Sequence, residues 1–134
     1  MLILCFDFGM KYIGVAIGQK LTHTTNSLPA ILAKDGIPHQ GAIEKLMLQW
    51  QPTLIIVGLP LTVEGHNQEI THCAKKFAQR LQDKYSIPIQ LVDERYTTRE
   101  AKKLTNFEGG KNDLERLKSQ AAELILQRWL EFDN

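Results

Sequence analysis

A chain of 134 residues, 43% of them apolar, can close one compact core and leaves little room for a second, so one domain over residues 1–134 is expected. No stretch approaches the roughly 18 apolar residues of a membrane helix, and two cysteines, Cys5 and Cys73, are too few for a disulfide framework, which points to a reducing cytoplasm. A formal net charge of +1 excludes a globally basic nucleic-acid binder, so any such surface must be local.

The opening run Leu2–Phe8 lacks a basic lead and a cleavage site, and Asp7 interrupts it, so it reads as a buried strand rather than a leader. Tyr12–Gly18 is a second β-rich run behind a Gly-containing turn, which predicts a hairpin. A third run, Leu28–Leu32, completes a three-strand antiparallel meander. After the turn-like Asp35-Gly36-Ile37-Pro38, the apolar residues Ile43, Leu46, Met47 and Trp50 fall at helical spacing. Leu54–Val57 is short and wholly apolar, as in a central strand covered on both faces. Ile70, Cys73, Ala74, Phe77, Ala78 and Leu81 form the stripe of a second helix. Ile89–Val92 is a further strand that stops at Asp93-Glu94-Arg95. Thr97 or Thr98 can cap a short helix to about Leu104, Glu108–Lys111 is a loop, and a last helix runs from near Asn112 to Phe132.

This order predicts an α/β fold. Its mixed five-stranded sheet joins the antiparallel three-strand meander to parallel strands, with right-handed crossovers and helices on both faces. In such sheets the chemistry gathers at the carboxyl ends of the parallel strands. Asp7 and Glu94 both stand at or just after the end of an apolar strand. A carboxylate in an apolar strand is costly unless it is paired or holds a cation. Asp7 is therefore either a strand-end residue paired with Lys11 or a ligand for Mg²⁺ or Mn²⁺, which prefer hard oxygen donors. Two such ions about 4 Å apart can activate water and stabilise a leaving oxygen in phosphodiester cleavage.

Four segments carry a family resemblance: Asp7-Phe8-Gly9-Met10-Lys11-Tyr12-Ile13-Gly14-Val15-Ala16, Ile55-Ile56-Val57-Gly58-Leu59-Pro60 with Gly65, Asp93-Glu94-Arg95-Tyr96-Thr97-Thr98, and Ala121-Ala122 with Ile125-Leu126. With them the sequence resembles the YqgF/RuvX family of RNase-H-like proteins, associated with precursor 16S rRNA processing and with Holliday-junction resolution. The resemblance implies an RNase-H-like fold and a nuclease that uses Mg²⁺ or Mn²⁺ on structured RNA such as precursor rRNA, or on branched DNA, with ribosomal particles as partners. It carries over Asp7 and Glu94 as the active-site acids. Asp93 adjoins Glu94, but neighbours on a strand face opposite ways, so it reads as a supporting acid or a turn-former. Arg95 could grip phosphate through its planar fork or pair with a neighbouring acid.

The pattern breaks in the last helix. Where the family places an aspartate, three residues before Ala121-Ala122, this chain has Lys118. Glu115, one turn earlier, could supply the missing metal ligand, or could close a capping box with Asn112. Asp113, two residues before Glu115, could likewise compensate, or could merely favour the helix N-terminus through the macrodipole. Lys118 leaves three alternatives: an enzyme with fewer protein ligands, a lysine that stabilises charge on phosphate, or a weakened or inactive relative that still binds nucleic acid and assists ribosome assembly.

Lys11, Arg95 and Arg99 are candidate backbone contacts within a region rich in both charges, though a solvated face explains mixed charge equally. Gly9 could let a phosphate approach Asp7, or serve turn geometry alone. Glu64 is a further acid after the central strand. The four histidines lack zinc-ligand spacing with the cysteines, and Trp50 and Trp129 fall on apolar stripes. Asp-x-Gly-x-Lys also opens actin-like kinases, which need two related lobes. A monomer or weak homodimer is expected, resolvase action calling for the dimer.

Overall fold

The computed structural model describes residues 1–59, 69–93 and 111–132. In chain order these form β1 (Leu2–Asp7), β2 (Tyr12–Gln19), β3 (Thr24–Lys34), β4 (Ile37–Pro38), α1 (Ala42–Trp50), β5 (Leu54–Leu59), α2 (Glu69–Tyr85), β6 (Ile89–Asp93) and α3 (Lys111–Phe132). The strands make one mixed sheet in the order β4-β3-β2-β1-β5-β6. β1, β2, β3 and β4 run as an antiparallel meander, and β5 and β6 add in parallel beside β1. The expected short helix ending at Leu104 lies outside the described residues.

Among the described residues the sheet has six strands, not the expected five. The additional one is Ile37–Pro38, which folds back onto Ala33 and Lys34. Asp35 and Gly36 both take positive φ, 52° and 83°, the conformation a two-residue hairpin demands and that Asp-Gly sequences favour. β3 is also longer than Leu28–Leu32. Its added residues, Thr24 to Ser27 among them, are largely polar and exposed and show no apolar run.

The two faces of β1 separate by the alternation of a pleated strand. Leu4, Phe6 and Phe8 pack with Ile43 and Met47 of α1 and with Ala74, Phe77 and Leu81 of α2. Ile3 and Cys5 face the other way, onto Ala122, Ile125, Leu126 and Trp129 of α3. Asp7 continues that second face. Both cores are closed, and each fully buried Leu, Ile or Phe contributes about 1.5–3 kcal/mol.

α3 can lie this close to the sheet because β2 offers it Gly14, Ala16 and Gly18. A Cβ built on Gly14 would stand 2.0 Å from the Lys118 carbonyl oxygen, and one on Gly18 would stand 2.7 Å from a Leu126 methyl carbon. Opposite Gly14, β3 carries a bulge: Ile13 pairs with Ile31 but Val15 with Leu28, so Pro29 and Ala30 together oppose one residue. The Val15 N–H donates to the Ser119 hydroxyl, 3.1 Å away and buried. One glycine contact and one hydrogen bond thus fix where the start of α3 sits on the sheet.

At the far end α1 and α2 are joined by an ion pair between Glu44 and Lys84. The hydrogen bond from Lys84 holds the Glu44 carboxyl below its ordinary pKa and, reciprocally, raises that of Lys84.

Two predictions follow from this packing. Gly14→Ala should destabilise the protein by about 1–3 kcal/mol or more, because the added methyl meets helix backbone that cannot rotate aside; Leu126→Ala should cost about 2–5 kcal/mol through the cavity it leaves. Urea unfolding followed by circular dichroism reads both, and an unchanged midpoint for Gly14→Ala would contradict the close approach. For Glu44, a depressed carboxyl contributes stability above its unfolded pKa and loses it as pH falls through the folded value. Glu44→Gln should therefore lower the urea midpoint slightly at neutral pH, and the difference from the parent protein should vanish in acid.

Candidate active site

Asp7 is the last residue of β1, at the carboxyl end of the strand that joins the antiparallel and parallel halves of the sheet. Its register partners are Gly14 on β2 and Gly58 on β5. Neither has a side chain, so the carboxylate stands in a pit floored by backbone on the α3 face. On the opposite face Phe6 and Phe8 flank Phe77 of α2, each with ring centroids 5.4 Å away. These contacts hold the strand end against α2 and fix the direction in which Asp7 projects.

The Asp7 side chain is fully buried, and neither carboxylate oxygen has a hydrogen-bond donor among the described residues. The compensating charge comes from α3. Lys118 Nζ lies 3.0 Å from Asp7 Oδ2 and donates a hydrogen bond to the Phe8 carbonyl, also at 3.0 Å. The ammonium thus pairs with Asp7 at Oδ2, while Oδ1 has no hydrogen-bond donor among the described residues. A buried carboxylate without a partner would be strongly disfavoured; the lysine removes the charge penalty but not the appetite for donors or a cation. The lysine stem passes over Gly9, where a Cβ would come within 3.1 Å of Cε and 2.3 Å of the Tyr12 carbonyl oxygen. Gly9 therefore serves the close turn and the passage of Lys118 together.

The other residues singled out from the sequence are placed differently. Lys11 is exposed in the β1–β2 turn, with Nζ 5.8 Å from the centre of the Tyr12 ring, and its carbonyl accepts from the Ala33 N–H. Asp93 pairs in register with Leu59, one residue beyond the Gly58–Val92 pair. Val92 packs on the core beneath α3, the face that carries Asp7, so alternation turns Asp93 to the opposite face. Glu115 lines a groove of about 430 Å³ between α3 and the β3 bulge, shared with Ser27, Pro29, Arg116 and Ser119. Asp113 pairs with Arg116 in the first turn of α3. That helix already includes Lys111, one residue before the expected start at Asn112. Glu94, Arg95, Arg99 and Glu64 lie outside the described residues. Among those described, no three His, Cys, Asp or Glu side chains come together as a metal cage.

Gly14 makes the close backbone approach its residue type suggests, whereas Gly58 and Ser119 also position the site and carry no such signal in the sequence. The alternation Gly14-Val15-Ala16-Ile17-Gly18 held the signal, since small residues at every second position of a strand mark a face pressed against another backbone.

Comparison with known proteins agrees with this architecture. Residues 1–132 match the RuvX family, described as Holliday junction resolvase. A protein of Histophilus somni (strain 2336) named "Putative pre-16S rRNA nuclease" is 46% identical over 131 residues, covering 96% of this chain and 93% of its own length. One of the same name from Saccharophagus degradans is 47% identical over 129 residues, covering 95% and 91%. Among solved structures, Thermus thermophilus RuvC in complex with Holliday junction substrate superposes with a TM-score of 0.56 at 11% identity, covering 99% of this chain and 96% of that one. The yeast mitochondrial Holliday junction resolvase Ydc2 gives 0.53 at 11% identity, covering 96% and 77%. At such identities the likeness is one of fold, that of the RuvC-like resolvases. The family match over nearly the whole chain and the close relatives are decisive: this chain belongs to the RuvX Holliday junction resolvase family.

Proposed function

We propose that the protein is a divalent-metal-dependent nuclease that hydrolyses phosphodiesters in structured RNA, acting in the cytoplasm on the 5′ side of precursor 16S rRNA. Family membership supports the reaction class, and the names of the close relatives support the substrate. The observation that carries the reading is the Asp7 carboxylate: fully buried at a strand end, with Lys118 Nζ 3.0 Å from Oδ2 and no hydrogen-bond donor to Oδ1 among the described residues. A residue kept for structure alone would have those lone pairs satisfied.

The residues fit an oxygen-ligated cation. Asp7 would hold it together with Glu94, the second acid that the family resemblance carries over. Bound there, Mg²⁺ or Mn²⁺ supplies a Lewis acid for the phosphoryl group and a lowered pKa for coordinated water. In the overall reaction a water oxygen bonds to phosphorus, the P–O ester bond breaks, and the proton ends on the leaving oxygen. Lys118 offers positive charge at the same place. Lys11, Arg95 and Arg99 are proposed to grip the substrate backbone. Asp93, turned to the other face, is left out of the ligand set, as is Glu115 in its groove.

A second reading draws on the 3.0 Å approach of Lys118 to Asp7. An ammonium that fully satisfied the acid would leave a protein that binds nucleic acid without cutting it. Labelled precursor rRNA and a four-way DNA junction, each incubated with Mg²⁺, Mn²⁺ or chelator, separate the two. Metal-dependent cleavage of the RNA is expected, with Asp7→Asn lowering the rate about 100-fold or more, since even outer partners of a metal site are worth about 10–100-fold. Tight binding with no cut in either metal would establish the second reading, and cleavage of the junction alone would move the substrate to DNA.

A further inference from the structure

We infer that the Lys118 ammonium takes the place of one of the two cations a paired-ion phosphodiesterase site would need, so that Asp7 accepts a single divalent ion. The inference rests on the nuclease reading and deepens it by specifying the cation count.

Two divalent ions sharing a carboxylate bring four positive charges within about 4 Å and require further acids to offset them. Among the described residues no such group of acids assembles. Asp113 is engaged by Arg116, and Glu115 lines the groove at the β3 bulge. At Oδ2 of Asp7, an ammonium 3.0 Å away already supplies positive charge and repels a second cation from that oxygen. Oδ1, buried, has no hydrogen-bond donor among the described residues, so its lone pairs are left for one hard cation.

The lysine is held rather than loosely solvated. Its carbonyl is pressed against Gly14, its stem crosses Gly9, and its ammonium donates to the Phe8 carbonyl. An ammonium has three N–H donors; with one spent on Phe8 and the side chain still 21% exposed, it retains the capacity to donate to a phosphate oxygen. A fixed positive charge beside the scissile group favours the state in which negative charge builds on phosphorus-bound oxygens. Lys118 would thus do with a covalently tethered charge what a second metal does with a bound one.

The test counts Mn²⁺ ions bound to the full-length protein by electron paramagnetic resonance and follows the metal-dependent rise in Tm, with circular dichroism to verify folding. The parent protein should bind one Mn²⁺ and Asp7→Asn none, while Lys118→Asp should bind two and gain more in Tm on adding Mn²⁺. Should Lys118→Asp fail to fold, Lys118→Asn serves: loss of the positive charge should tighten Mn²⁺ binding about tenfold or more, and unchanged or weaker binding overturns the inference. Two ions on the parent protein, or no gain in Lys118→Asp, likewise overturn it while the nuclease reading stands. No ion on the parent protein also overturns it, and the nuclease reading falls with it only if cleavage is absent too.

Discussion

A charge buried beneath a helix is the constraint around which the rest of this structure is arranged. Asp7 lies at the end of β1 with no exposure to solvent, and the chain answers with a lysine reaching back from α3. Removing one member of a buried pair is more damaging than lacking both, because it strands the other in a medium that solvates it poorly. The last helix therefore does more than cover the sheet. It delivers the compensating charge, and its placement lets the ammonium reach both the Phe8 carbonyl and Asp7.

That placement comes from what the sheet omits. Gly14 and Gly58 flank Asp7 on the adjoining strands, and Gly14 also receives the helix backbone at Lys118. The same missing side chains give the carboxylate its pit and let the helix come close enough to fill part of it. Ser119, next to Lys118, ties the arrangement to β2 by accepting the Val15 N–H. Stability and site geometry are thus held by one contact surface, where a change made for either purpose alters both.

Much of this was legible in the sequence. Apolar runs and helical stripes gave most of the strands and helices in order, and the ends of β1 and β6 lie where they were expected, at Asp7 and just after Val92. The departure at Lys118 was visible as a lysine in an acid's place. Its contact with Asp7 was not, because that depends on the depth at which α3 docks, set by residues 104 positions apart such as Val15 and Ser119. The polar first half of β3 escaped notice because an outer strand needs no apolar pattern. β4 escaped because two residues carry no periodicity; the Asp35-Gly36 turn was read, but not the strand beyond it. The groups beyond Asp93 belong to residues not described, so pairing Glu94 with Asp7 is a proposal from the family resemblance.

The bulge at Pro29 and Ala30 bears on more than the seat of the helix. β3 spans eleven residues near the margin of the sheet, and a long, regular margin strand offers an open ladder on which another chain could grow. Here the ladder is interrupted midway by a kink with a residue that has no N–H, and at one end by a two-residue strand finishing in another proline, Pro38. The irregularity opposite Gly14 thus also makes this strand a poorer template for pairing with another chain, as bulges and prolines do near sheet margins generally.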